Sequence, residues 1–167
     1  IPNKVFRIYY SNDLIGTQIG GALKNIYAIA AGIAEGLNLG ENAKSALISR
    51  SFAEMARYAK KFKADKNTLF GLSGLGDLIL TCSSKNSRNT QFGIKLASSK
   101  YDNFLDLLKS QEVTEGYYTV KAVYNISQKK NIDMPIMESV YNILYKQHDL
   151  KEELSNLLSR PITEEKI

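Results

Sequence analysis

Lys24 is the residue whose setting is hardest to explain as ordinary surface chemistry. It interrupts GGALKNIYAI, residues 20–29, a stretch that is otherwise almost wholly small or apolar. Steps of three, four, seven and eight residues along a helix from it include Thr17, Gly20, Gly21, Ala28, Ala31 and Gly32, nearly all of them small. Such a face makes a poor solvated surface and a good channel for bringing another object close to an ammonium. Two uses remain open: a plain surface cation, or an amine that holds a ligand and exchanges a proton with it. A lysine used as a base near neutrality needs its titration lowered by roughly two to three units, which burial and nearby cations favour and a carboxylate opposes.

Two further groups could join it. Asp77 and Thr81 lie four apart and share a helical face, where they can orient an amine or bind hydroxyls. Ser87-Arg88-Asn89 opens a helix after a polar turn, so free N–H groups, the positive end of the helix dipole and a guanidinium fork could together hold a phosphate. A plain capping turn is the simpler alternative. The glycines of GLSGLGD, residues 71–77, look superficially like a dinucleotide loop. They lack the G-x-G-x-x-G order, no strand precedes them and no βαβ unit follows, so a tight turn between packed helices is their plainer role.

The elements that must position these residues are almost all helical. VFRIYYS, Val5 to Ser11, reads as one strand, which cannot stabilise itself and is expected to finish a sheet whose other strands lie elsewhere. Asp13 is a plausible N-cap for a helix running to about Leu37, with Ile15, Ile19, Ile26, Ile33 and Leu37 as its bulky stripe. A second helix is expected from about Glu41 to Phe62, with Leu47, Ile48, Met55, Tyr58 and Phe62 on its core side. Further helices are expected over Asp77–Cys82, Arg88–Ser98, Tyr101–Lys109, Val120–Lys130, Ile136–Tyr145 and Leu150–Leu158, separated by breaks such as Gly116, Met134-Pro135 and Asp149. No internal repeat is present.

Composition narrows the class. At 167 residues, 44% of them hydrophobic, the chain suits one self-supporting domain. The 22 basic and 17 acidic side chains leave +5, a modest excess that would suit an anionic small molecule as well as a nucleic acid, but no stretch carries the consecutive basic run expected of a nucleic-acid binder; the cluster Lys60–Lys63 reads as a solvated helix end. Cys82 and His148 are the only cysteine and histidine, so no internal disulfide can form, no protein-borne metal site is expected, and a cytoplasmic setting is the simplest assumption. Ile26–Ala34, the longest charge-free apolar stretch, is far short of the roughly 20 residues of a membrane span, and the amino terminus lacks a signal-peptide core.

Taken together, GGALKNIYAIAAGIAEGL, NAKSALISRSFAEM, GLSGLGDLILTC, SRNTQFG, VTEGYYTVKAVY and MPIMESVYNILY resemble the carboxy-terminal domain of bacterial NAD(P)-dependent glycerol-3-phosphate dehydrogenase, over about Phe6 to Pro161. The resemblance implies an all-α, multi-helix substrate domain of the 6-phosphogluconate dehydrogenase C-terminal type. Residues 1–12 would be the last strand of a Rossmann domain, 13–160 the helical domain and 161–167 a flexible tail. It implies interconversion of sn-glycerol 3-phosphate and dihydroxyacetone phosphate with NAD or NADP, as a step toward phospholipids, and a homodimer. Lys24 matches the family's catalytic lysine. Asn25, Asp77, Thr81, Ser87, Arg88 and Asn89 match substrate-side positions, and Arg88, Val113 and Glu115 cofactor contacts. The glycine-rich cofactor loop and a second substrate lysine expected of the family are absent, so the chain alone is expected to be inactive. A related two-domain hydroxyacid dehydrogenase and a non-catalytic helical interaction module are the competing readings.

Overall fold

The computed structural model describes residues 7–98 and 114–161. In chain order these form α1 (Leu14–Gly36), α2 (Glu41–Lys61), α3 (Lys66–Phe70), a π-helical turn (Leu72–Gly76), α4 (Asp77–Ser83), α5 (Arg88–Ser98), α6 (Glu115–Lys130), α7 (Pro135–Lys146) and α8 (Leu150–Leu158). The all-helical expectation holds throughout the described residues.

Local chemistry sets the helix ends. Asp13 caps α1 by accepting the Gly16 N–H at 2.8 Å, the main reason its carboxyl is held below the usual range, and its other oxygen accepts the Asp65 N–H at 2.8 Å. The same side chain therefore ties the starts of α1 and α3 together. Pro135 occupies the first turn of α7, where its missing N–H costs nothing. Asn131 (φ 50°) and Gln147 (φ 58°) end α6 and α7 in the left-handed region.

α1 is the axis of the molecule. Every residue from Asn25 to Ala34 is buried, because α2, α4, α5, α6, α7 and the π-helical turn all pack against it. Its small residues make this possible: a Cβ on Gly32 would lie 2.1 Å from the Thr90 carbonyl oxygen, and one on Gly93 would lie 2.2 Å from that of Ile29. The backbones of α1 and α5 are thus in direct contact. This corrects the expectation that the small face is left open as a channel. Gly20 and Gly32 are filled by the chain itself, and Gly21 alone among them faces open space, where a Cβ would meet nothing within 4 Å. The bulky stripe is likewise buried only in part, since Ile15 is exposed and Ile26 and Ile33 are buried.

Beneath this axis, Glu54 of α2 is buried against the start of α7. It accepts the N–H groups of Ile136 at 2.6 Å and Met137 at 3.1 Å, and the Tyr27 hydroxyl at 3.3 Å. Burial pushes its carboxyl up to about 7, outweighing the helix-start donors and the Arg57 charge that favour ionisation. Between α6 and α7, tyrosines stack in a row. Tyr124 and Tyr141 have ring centroids 3.7 Å apart, Tyr141 and Tyr145 5.2 Å, and Tyr145 and Tyr117 4.8 Å, with Lys146 over the first two rings.

The anticipated strand is not confirmed, one helix boundary needs correction and one short helix was missed. Residues 7–11 of the anticipated strand have no regular structure, and the described residues contain no strand, since a single extended segment has no ladder partner here; the rest of it lies outside the described residues. α6 begins at Glu115, upstream of the expected Val120, and runs through Gly116, where the lack of a side chain permits close packing. α3 was not anticipated, being one turn long and without a periodic signature. The helix expected over Tyr101–Lys109 and the tail 162–167 fall outside the described residues. Ile8, Tyr9, Tyr10, Leu14 and Ile15, at the start of α1, are exposed, as are Phe70 and Leu72 beside it.

Candidate active site

The site starts from a backbone seam. A Cβ on Gly20 would lie 2.3 Å from the Ser73 carbonyl oxygen, so α1 and the π-helical turn touch main chain to main chain. Four residues further along each segment stand Lys24 and Asp77. Lys24 Nζ donates to Asp77 Oδ2 at 2.5 Å, across 53 positions of sequence. The two side chains remain 23% and 31% exposed, so a small molecule can reach the pair. Gly74 is as tightly constrained as Gly20: a Cβ there would sit 2.1 Å from the Leu69 carbonyl oxygen. Gly74 therefore serves the tight turn that leads into α4, in line with the plainer of the two readings of these glycines, whereas a Cβ on Gly76 would meet nothing closer than 3.7 Å.

Thr81 stands one turn beyond Asp77 as its spacing suggested. Its Oγ1 donates to the Asp77 carbonyl at 2.6 Å and lies 3.4 Å from Asp77 Oδ1. The Thr81 carbonyl in turn accepts Thr90 Oγ1 at 2.9 Å, which fastens α4 to α5. Ser87 caps α5 by accepting the Thr90 N–H at 3.3 Å. Arg88, the first residue of α5, is exposed, and its guanidinium has no hydrogen bond or ion pair with the described residues. A free fork of donors at a helix start suits a phosphate or carboxylate.

A second network adjoins the first. Asn25 Nδ2 donates to Glu115 Oε2 at 3.1 Å and lies 3.4 Å from the Gly21 carbonyl, while Asn25 Oδ1 accepts Asn89 Nδ2 at 3.0 Å. Asn89 Oδ1 accepts the Gly116 N–H at 3.0 Å. α1, α5 and α6 meet here, next in sequence to Lys24 and Arg88. A Cβ on Gly116 would come within 2.7 Å of the Asn25 carbonyl oxygen and 2.8 Å of Asn89 Oδ1, so only glycine fits. The hydroxyl of Thr114, which precedes Glu115, is buried with no hydrogen-bond partner among the described residues.

Lys24, Asp77 and Thr81 thus form one connected group and Asn25, Asn89 and Glu115 another, with Ser87 and Arg88 joined to both through α5. Val113 lies outside the described residues. Thr90 is not singled out by the sequence and Gly116 only as a helix break; Thr90 directly follows the SRN triplet and Gly116 follows Glu115, but neither residue type signals a role by itself. The cavity of about 200 Å³ that contains the Lys44–Glu35 ion pair and reaches Ser83 and Lys85 shares no residue with this group. Among the described residues no three His, Cys, Asp or Glu side chains are grouped to hold a metal ion, and no helix is long and apolar enough to cross a membrane.

Residues 13–155 match the family model described as NAD-dependent glycerol-3-phosphate dehydrogenase C-terminus. A glycerol-3-phosphate dehydrogenase [NAD(P)+] of Brachyspira hyodysenteriae is 48% identical over 162 residues, covering 96% of this chain and 48% of that protein. That of Mannheimia succiniciproducens is 44% identical over 158 residues, covering 95% and 47%. The crystal structure of the Coxiella burnetii glycerol-3-phosphate dehydrogenase superposes with a TM-score of 0.86 at 39% identity, covering 95% of this chain and 49% of that one. The yeast enzyme from Saccharomyces cerevisiae gives 0.77 at 26% identity, covering 96% and 52%. The chain spans about half the length of these relatives. The fold is that of the helical half of a nicotinamide-dependent dehydrogenase. More particularly, the chain belongs to the NAD-dependent glycerol-3-phosphate dehydrogenase C-terminal family.

Proposed function

We propose that this chain is the substrate-binding, proton-transferring half of a glycerol-3-phosphate dehydrogenase, which interconverts sn-glycerol 3-phosphate and dihydroxyacetone phosphate and so feeds phospholipid synthesis in the cytoplasm. The observation that carries this reading is the reachable Lys24–Asp77 pair with an uncommitted guanidinium at the adjoining helix start. The relatives' printed names supply the substrate.

Nicotinamide, when bound, supplies or accepts the hydride at the substrate's central carbon. The residues on this chain that fit such a group are Arg88, whose fork matches a phosphate, and Glu115, whose exposed carboxylate can accept from a hydroxyl; Val113 joins them by family resemblance. In reduction the carbonyl oxygen becomes negative, and the Lys24 ammonium, held by Asp77, gives it a proton. In oxidation the same nitrogen takes the hydroxyl proton. Arg88 and Ser87 hold the substrate phosphate, Thr81 bonds a substrate hydroxyl, and Asn25 and Asn89 wall the same place.

The exposed apolar residues around the start of α1, Ile8 to Ile15 with Phe70 and Leu72, form the face against which a preceding Rossmann domain packs. The chain without that domain is inactive, and the complete protein is a homodimer. The test is Lys24→Ala in the full-length protein. Dihydroxyacetone phosphate-dependent NAD(P)H oxidation drops by about a hundredfold or more with the melting temperature kept. Unaltered turnover would instead mark a helical scaffold. Arg88→Ala separates substrates: it raises KM for dihydroxyacetone phosphate, whereas an unchanged KM would favour an unphosphorylated hydroxy acid.

A further inference from the structure

The second network has a direction. The Gly116 main-chain nitrogen can only donate, so the Asn89 oxygen must face it, at 3.0 Å. This turns the Asn89 NH2 toward Asn25, which must therefore present its oxygen, also at 3.0 Å. The Asn25 NH2 is then left facing Glu115, a carboxylate that can only accept, at 3.1 Å. Each amide orientation follows from its neighbour, from a fixed donor at one end to a fixed acceptor at the other. Neither amide can flip without setting two like groups against each other.

Both asparagines are buried, and each adjoins a residue of the reaction: Asn25 follows Lys24 on α1, and Asn89 follows Arg88 on α5. We propose that Gly116, Asn89, Asn25 and Glu115 form a one-way hydrogen-bond relay that sets the register of α1 against α5, and thereby the placement of the Lys24 amine relative to the Arg88 guanidinium. Asn25, Asn89 and Glu115 are positioning residues in this role. The inference rests on the proposed function: a phosphate anchored at Arg88 speeds proton transfer at Lys24 only if the two are spaced for one short substrate.

The directionality supplies a test in the full-length protein. Asn89→Asp is isosteric, but it replaces the donor facing Asn25 with an acceptor and so breaks the relay. Glu115→Gln alone keeps an acceptor for Asn25, so the relay survives it, and its own kcat, which includes any effect on the cofactor, is the baseline against which the double variant is read. Combined with Asn89→Asp, it provides a donor at the far end, so the Asn25 amide can turn over and its bonds to positions 89 and 115 re-form with reversed polarity, while the Gly116 N–H bond is kept and only the 3.4 Å contact with the Gly21 carbonyl is lost. The expected result is a kcat loss of at least about tenfold for Asn89→Asp, with KM for dihydroxyacetone phosphate moving less than about threefold, and recovery of most of that loss in the double variant. Thermal melting of the four proteins should show the same rescue, and it reads the relay even if wild-type protein fails to turn over dihydroxyacetone phosphate, which would overturn the function alone. No rescue of either quantity, a loss confined to KM, or rescue of melting without rescue of kcat would each overturn the positioning role.

Discussion

At the scale of single residues, the site depends on charge pairing between positions far apart in sequence. Asp77 holds Lys24 by one short bond while Thr81 braces Asp77 from the next turn. Asp77→Asn keeps an oxygen for the amine but removes the charge that orients it. We expect kcat to fall by on the order of tenfold to a hundredfold with little change in folding, checked by steady-state kinetics beside circular dichroism. The residue types were legible in the sequence, because Lys24 lies in an apolar run and Asp77 and Thr81 have helical spacing. The pairing itself was not, since 53 positions separate Lys24 from Asp77 and 90 separate Asn25 from Glu115, and no local pattern records a contact of that range. For the second network the polar helix start pointed to Asn89 and family resemblance alone to Asn25 and Glu115, and it gave them ligand roles without the bonds they make to one another.

At the scale of elements, glycine decides how closely the helices approach. Gly20, Gly32, Gly74 and Gly116 all stand where a Cβ would meet backbone or a buried amide, whereas Gly21 stands in the open. Gly74→Ala should cost about 1–3 kcal/mol in urea denaturation and reduce activity by displacing α4 and with it Asp77. Gly21→Ala, one position from the tight Gly20, should stabilise the unliganded protein by roughly 0.5–1 kcal/mol through helix propensity. Equal effects at the two positions would contradict the seam. The sequence displayed this run of small residues plainly. Its reading as an open channel was mistaken, because periodicity shows which residues share a face and says nothing of whether a ligand or another helix fills it. Element boundaries fared well where caps are chemical, as at Asp13 and Asp149, and poorly at α6, where Gly116 looked like a break and is a packing site.

For the molecule as a whole, stability is tied to pH through Glu54. Its folded value of about 7 exceeds the ordinary 4.5, so the unfolded chain releases this proton first as pH rises. Below about 4.5 the carboxyl is protonated in both states and costs nothing. Between there and about 7 the native state loses ground, by about 3 kcal/mol in all if this group acts alone. The melting temperature should therefore decline across that window, and in Glu54→Gln the decline should be absent, although the variant starts lower for want of an acceptor. A slope that persists unchanged in the variant would assign it to other groups. The row of stacked tyrosines along α6 and α7 offers a way to watch such changes. The sequence has ten tyrosines and no tryptophan, so near-ultraviolet optical activity arises largely from phenol rings, and rings stacked 3.7 Å apart couple their transitions strongly. Separation of these two helices would thus extinguish a chiral absorption signal while helical content persisted, giving this edge of the protein an intrinsic reporter that needs no added label.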